Sequence, residues 1–205
     1  MKQIAQRTGR AAGVARAATV MLAAGLLAGC LSFGGKTPKQ LITLTPEASA
    51  PAGALGGGKL ADAVVVLDPL TDRRLDVQRV PVQVDDANVA YVKDAAWVER
   101  PARQFRHLLA ETIRAKGNRL VLEESDNQAG GKVRLGGRLV DMGYDARSRA
   151  VVVRYDALRE DAAGTIVSRR FEAQVPDVKP KASAIAPALN KAANDVARQV
   201  ADWVG

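Results

Sequence analysis

The sequence predicts an α/β domain of the α+β type, a single mostly antiparallel sheet with two amphipathic helices packed on it. The expected order is β-α-β-β-β-α, with extra strands on the N-terminal side. Three observations predict it. Between Lys132 and Val175 three runs alternate apolar and polar residues with period two, separated by short polar turns. Two stretches, Pro101 to Lys116 and from about Ala184 to Trp203, repeat apolar residues at helical spacing. Short β-branched runs punctuated by Pro, Gly and Asp precede the first of these helices.

The elements follow in order. Leu41 to Thr45 reads as a strand, and Pro46 to Gly58, rich in Pro, Ala and Gly, as a flexible loop ending near Lys59. Ala63 to Leu67 is a buried-strand run stopped by Asp68-Pro69. Arg79 to Val84 alternates, and Pro81 argues that this strand lies at an edge, because proline has no N–H to donate. Asn88 to Val92 and then Trp97 lead into the first helix. Its apolar set Ala102, Phe105, Leu108, Leu109 and Ile113 shares one face, the opposite face is expected to be wet, and Gly117 is the stop. The meander follows as Lys132 to Tyr144, Ala150 to Leu158 and Thr165 to Val175, turning at Asp145 to Ser148 and Glu160 to Gly164. The apolar phase changes between Val133/Leu135 and Val140/Met142/Tyr144, which places a bulge at Gly136-Gly137. The last helix carries Ile185, Leu189, Val196, Val200 and Trp203 on its inner face, with Trp203 favoured as a core or rim residue over a membrane-interface anchor.

The N-terminus dictates one specific chemistry. Lys2, Arg7, Arg10 and Arg16, with no acid, precede an apolar segment from Ala17 to Gly29 that is too short to span a bilayer. Leu27-Ala28-Gly29-Cys30 closes it as a lipobox: small residues at the cleavage point, leucine three places before the cysteine, and the only cysteine of the chain at the junction. The expected organisation is a signal peptide over 1–29, a lipidated tether over 30–40 and a body over 41–205. A thioether-linked diacylglycerol and an N-acyl chain such as palmitate on Cys30 would hold the protein on a membrane surface without spanning it. No intramolecular disulfide can form.

Charge and motifs exclude several classes. The net charge of +8 over 205 residues falls to +4 once the four leader cations are removed, so the basic excess is no argument for nucleic-acid binding. A basic surface near anionic head groups is the more natural use. Gly56-Gly57-Gly58-Lys59-Leu60 and Gly130-Gly131-Lys132-Val133 lack the Ser or Thr and the leading glycine of a phosphate loop. His107, the single histidine, lies with Arg103 and Glu111 one turn to either side, and is read as part of a solvated helix face; no metal ligand set is expected. Asp85-Asp86 and Glu123-Glu124 are adjacent pairs whose side chains diverge on an extended chain, and read as turn and strand-end charges. No catalytic residue and no cofactor are expected.

The early Leu41-Ile42-Thr43-Leu44-Thr45-Pro46 strand, the block Leu75-Asp76, Arg79-Val80, Val89-Ala90-Tyr91 and Trp97, the Leu108-Leu109 helix, and the closing Ala188-Leu189 and Val200 to Val204 together resemble the ABC-type transport auxiliary lipoproteins. These are the outer-membrane component associated with MCE (mammalian cell entry) lipid-transport systems such as the paraquat-inducible one. The resemblance runs from Leu41 to Val204, although the early strand lacks the tyrosine often seen there and only one tyrosine stands before Trp97 where members often have two. It implies a non-enzymatic, lipid-anchored periplasmic domain that docks an MCE-domain protein at the outer membrane. Leu31 and Ser32, with no aspartate directly after the cysteine, fit outer-membrane delivery by the enteric sorting preference. Tyr91 and Trp97 are the candidate partner contacts, and self-association is left open. The rival classes are an autonomous lipid-binding or insertion lipoprotein and an assembly adaptor of another envelope complex.

Overall fold

The computed structural model describes residues 38, 40–53, 57–117, 119–124, 126 and 133–205. The chain divides into a unit over Met1–Thr37 and a unit over Pro38–Gly205, and only the second is described. The expected signal peptide over 1–29, the expected lipobox and most of the expected tether over 30–40 lie outside the described residues.

The meander is the backbone of the body. β7 (Val133–Asp145), β8 (Ala150–Glu160) and β9 (Ile166–Val175) pair antiparallel in that order. Arg149 (φ 54°) and Gly164 (φ 83°) supply the left-handed residues that the two turns need. The phase change in β7 is present, but it lies between Leu139 and Asp141 and not at the glycines. Gly136 and Gly137 stay in register with Leu158 and Ala157, Leu135 and Leu139 keep the first phase, and Val140 is the inserted residue that brings Met142 and Tyr144 back to the core. Gly137 is glycine for another reason. Its φ is +135°, and a Cβ there would come within 2.0 Å of the Asp156 carbonyl oxygen.

The opposite edge of β7 is completed piecewise by short strands. β2 (Val64–Val66) runs parallel to its N-terminal half and to β6 (Val121–Glu123), and β3 (Pro81–Gln83) runs parallel to its C-terminal end. Between them Leu70 bridges to Arg138. β4 (Val89–Tyr91) closes that side antiparallel to β3. β3 is therefore interior, and the edge position that Pro81 suggested belongs to β4. Val84 N–H donates to the Asn88 carbonyl and Val92 N–H to the Val80 carbonyl, Asn88 and Val92 being the residues that flank β4, so Pro81 turns its missing N–H toward β7. There it meets Gly143, where a Cβ would sit 2.5 Å from the Pro81 carbonyl oxygen, and pairing with β7 starts only at Val82. A second sheet joins β1 (Gln40–Ile42) parallel to β5 (Ala95–Trp97), and a single 3-10 turn spans Leu60–Asp62. β1 is shorter than the sequence predicts, and β5 and β6 were not legible from it.

Two helices cover one face. α1 (Pro101–Ala115) starts on Pro101, whose missing N–H costs nothing at the first turn, and ends before Gly117 at φ 70°. α2 (Ala182–Val204) lies against α1, β7, β8 and β9. Pro187 interrupts its second turn, where it displaces only the bond to exposed Ser183. The core between layers holds Leu139, Met142, Val153, Tyr155, Phe105, Leu109, Leu189 and Val196. Tyr155 anchors it: its ring meets Phe105 edge-on at 5.3 Å and its buried hydroxyl donates to the Gly136 carbonyl at 2.5 Å. Burial pushes that phenol far above its ordinary pKa. Trp203 sits at the rim, 5.6 Å from Phe171 with the Arg159 guanidinium over its ring. Among the described residues no helix is long and apolar enough to cross a membrane.

Candidate functional site

His107 and Arg103 lie on the wet side of α1, while the margin of its apolar face carries a buried cation. Arg106 is only 5% exposed, because its guanidinium reaches Asp68 after β2 (3.1 Å) and Glu123 at the end of β6 (3.2 Å). His107 Nδ1 also lies at 2.5 Å from Glu123, so the histidine partner is a strand residue and not Glu111. Glu111 pairs with Arg114 at 2.6 Å. The cluster ties α1 to the ends of β2 and β6. Among the described residues no group of three or more His, Cys, Asp or Glu side chains is placed to hold a metal ion.

The segment after β1 is strapped over the helices by side-chain acceptors. Gln104 Oε1 accepts from Leu44 N–H (2.9 Å), Asn190 from Thr45 (2.7 Å), Asn194 from Glu47 (2.8 Å) and Glu111 from Ala50 (2.9 Å). Asn194 returns a bond from its amide nitrogen to the Thr45 carbonyl at 2.9 Å. Gln104 and Asn194 are 6% and 4% exposed, so each strap bond replaces water that these amides no longer reach. Residues 44–50 form neither helix nor strand, yet their N–H groups are held from both helices.

The strap leads back to β1. Gln40 N–H donates to the Asp94 carbonyl at 3.1 Å, and beside it a groove of about 580 Å³ runs between β4 and the start of α2. Its floor is Val82, Val92 and Ile185, and its walls carry Tyr91, Tyr144, Lys93 and Lys181. Tyr91 is half-buried, with the Arg79 guanidinium 4.1 Å over its ring. Trp97 is only 1% exposed and packs in the core, so it presents no side-chain surface to a partner. Of the residues singled out in the sequence, Tyr91 alone lines this groove, while Leu27, Ala28, Gly29 and Cys30 fall outside the described residues. Asp85 and Asp86 behave as turn charges: Asp85 accepts from Ala87 and Asn88 at 2.9 Å each, and Asp86 pairs with Arg147.

A two-layer body with a strapped N-terminal segment and an aromatic groove flanked by Lys93 and Lys181 beside Gln40 has the build of a binding module. Residues 43–201 match the family of ABC-type transport auxiliary lipoprotein components, and the chain belongs to that family. The family is one of membrane-anchored envelope proteins serving transport. Two solved structures share the fold. A crystal structure of an uncharacterized protein superposes with a TM-score of 0.64 at 15% identity, covering 82% of this chain and 99% of the other. A Xanthomonas campestris protein does so with a TM-score of 0.61 at 17% identity, covering 81% and 91%. No curated protein matches the sequence.

Proposed function

We propose that the chain is a lipid-anchored, non-catalytic docking component of an MCE-type ABC lipid-transport system, held by Cys30 at the periplasmic face of the outer membrane. The family match over residues 43–201 is the observation that carries this reading. The lipobox Leu27-Ala28-Gly29-Cys30 supports the anchor, and the ten residue steps from Cys30 to Gln40 limit the reach from the membrane to ~35 Å. The groove beside Gln40, with Tyr91, Lys93 and Lys181, would then face anionic head groups or the part of the partner nearest the membrane.

Two experiments test this. Cys30→Ser is expected to accumulate as unprocessed precursor in the inner membrane; normal maturation of that variant would remove the anchor from the proposal. A crosslinked pull-down from native envelopes with tagged, lipidated protein is expected to return an MCE-domain protein as the dominant partner. Recovery of bound phospholipid with no such partner would instead favour an autonomous lipid-handling lipoprotein.

A further inference from the structure

Among the described residues β9 pairs only with β8, which makes it the long open edge of the sheet. Asp161 N–H donates to the Thr165 carbonyl at 3.0 Å, which makes that pair a hydrogen-bonded one. The register from Glu160/Ile166 to Val151/Val175 is uninterrupted, so odd-numbered residues of β9 bond to β8 and even-numbered ones turn N–H and C=O outward. The two halves of that edge differ. In the C-terminal half α2 lies close, and Gln199 Nε2 donates to the outward Glu172 carbonyl at 3.3 Å. In the N-terminal half Ile166 to Arg170 are exposed, and among the described residues nothing bonds to the outward groups of Ile166, Ser168 and Arg170.

The sheet face beside this open half is apolar where it should be polar. Leu70 (64% exposed), Ile166 (63%) and Leu158 (46%) flank two adjoining hollows of about 610 and 370 Å³ that share Leu70, Gly137 and Leu158. The glycine at 137, fixed by its φ, keeps the floor open. Toward Arg170 the larger hollow holds Arg138 and Arg170 about Asp156, which Arg170 grips at 2.6 Å, while the smaller hollow carries Asp68, Glu124 and Glu160 with Arg134; Arg169 stands on the opposite face of β9, over the Phe171 ring. Folded proteins blunt long edges by covering or charging them, and here only one half is covered.

We propose that the open half of β9, Ile166 to Arg170, is a docking strand that a partner extends by β-addition, using a segment of alternating apolar and acidic residues. Main-chain bonds to Ile166, Ser168 and Arg170 would supply affinity. Apolar side chains of the segment would lie on the even-numbered face beside Ile166 and toward Leu158, and its carboxylates, one residue out of step, would meet Arg169 on the other face. A second copy of this chain is the poorer occupant. A two-fold pairing of this stretch with itself crowds Arg169 and Arg170 of both copies into one short ladder, which like-charge repulsion disfavours. The inference rests on the reading of the chain as a partner-binding component and names the surface it uses.

The test uses full-length lipidated protein in nanodiscs and two fluorescent nine-residue probes, one alternating Val and Glu, the other Val and Lys. The Val/Glu probe is expected to bind and to slow amide exchange at Ile166, Ser168 and Arg170; the Val/Lys probe is expected to bind at least tenfold more weakly. Ser168→Pro removes an outward N–H that β8 does not use, and is expected to weaken the Val/Glu probe at least tenfold with an unchanged melting curve. Arg169→Glu, which leaves the backbone edge intact, is expected to reverse the preference between probes. Equal binding of both probes, no binding of either, or protection at the β4 edge in place of β9 would overturn the proposal. So would concentration-dependent dimerisation abolished by Ser168→Pro. The two readings fail separately. An MCE-domain partner retained by Ser168→Pro would remove this surface and leave the function standing, whereas Ser168-dependent probe binding without an MCE partner would do the reverse.

Discussion

The two faces of the meander are built from the same three strands, one residue out of step, and they do opposite things. On the covered face Leu139, Met142, Val153, Tyr155 and Phe171 are buried under the helices. On the bare face the same strands carry cross-strand rows of charge. Asp141, Arg154 and Glu172 align across β7, β8 and β9, with Arg154 at 2.5 Å from Glu172, and Arg170 grips Asp156 at 2.6 Å. A side-chain period of two lets one strand serve a dry core and a wet surface at once. Burial, and with it stability, is concentrated on one face, and the other is left open to solvent and to partners.

The largest effect therefore belongs to the covered face. Tyr155→Ala removes a buried aromatic packed on Phe105 and leaves the Gly136 carbonyl without its donor, so a loss of about 3–5 kcal/mol is expected in denaturant melts. Tyr155→Phe keeps the ring and loses only the hydroxyl, and should cost about 1–3 kcal/mol. If both variants cost the same, the hydroxyl and not the packing anchors this face, and the contrast between faces weakens.

Next in size is the strap. Asn194→Ala removes the acceptor for Glu47 N–H and the donor to the Thr45 carbonyl at a site only 4% exposed, with an expected cost of about 1–3 kcal/mol. Amide exchange at residues 44–50 should rise in the same variant. Unchanged exchange there would show that the strap is held by packing and not by these amides.

Much of this contrast was legible in the sequence, and the reasons why some was not are physical. The meander showed because ten-residue alternation and paired turn residues are local signals. β5 and β6, three residues each, carry no period long enough to detect, and their partners β1 and β2 lie far off in the chain. Pro81 misled because its missing N–H was weighed without Gly143, 62 residues later in the chain, which makes room for it. Arg106 stands at the margin of the apolar face, a turn from Ala102 and Leu109, and only Asp68 and Glu123, remote in sequence, make the burial of its charge tolerable. The strap was hidden altogether, since a Pro-, Ala- and Gly-rich segment reads as a loop whether or not distant amides catch its N–H groups. The proposed anchor is the reverse case: it rests on four adjacent residues, Leu27 to Cys30, and on nothing in the fold.

On the bare face, Arg154→Ala is expected to cost less than about 1 kcal/mol, because its partners Asp141 and Glu172 are partly exposed and screened by solvent. The sharper measurement there is pH. The hydrogen bond from Arg154 holds the Glu172 carboxyl below its ordinary value of 4.5, so the unfolded chain binds that proton more readily. The stability it contributes is present above that value and is lost as pH falls through the folded-state value. Asp141 runs the other way: burial raises it above the ordinary 3.8 despite Arg74 and Arg154 nearby. Its contribution therefore declines as pH rises through the window above 3.8. In urea melts from pH 3 to 7, wild-type stability minus that of Glu172→Gln should rise with pH, and wild-type minus Asp141→Asn should fall. Parallel slopes would mean that the ladder titrates as one solvated surface, and that burial on the bare face is too slight to set one rung against another.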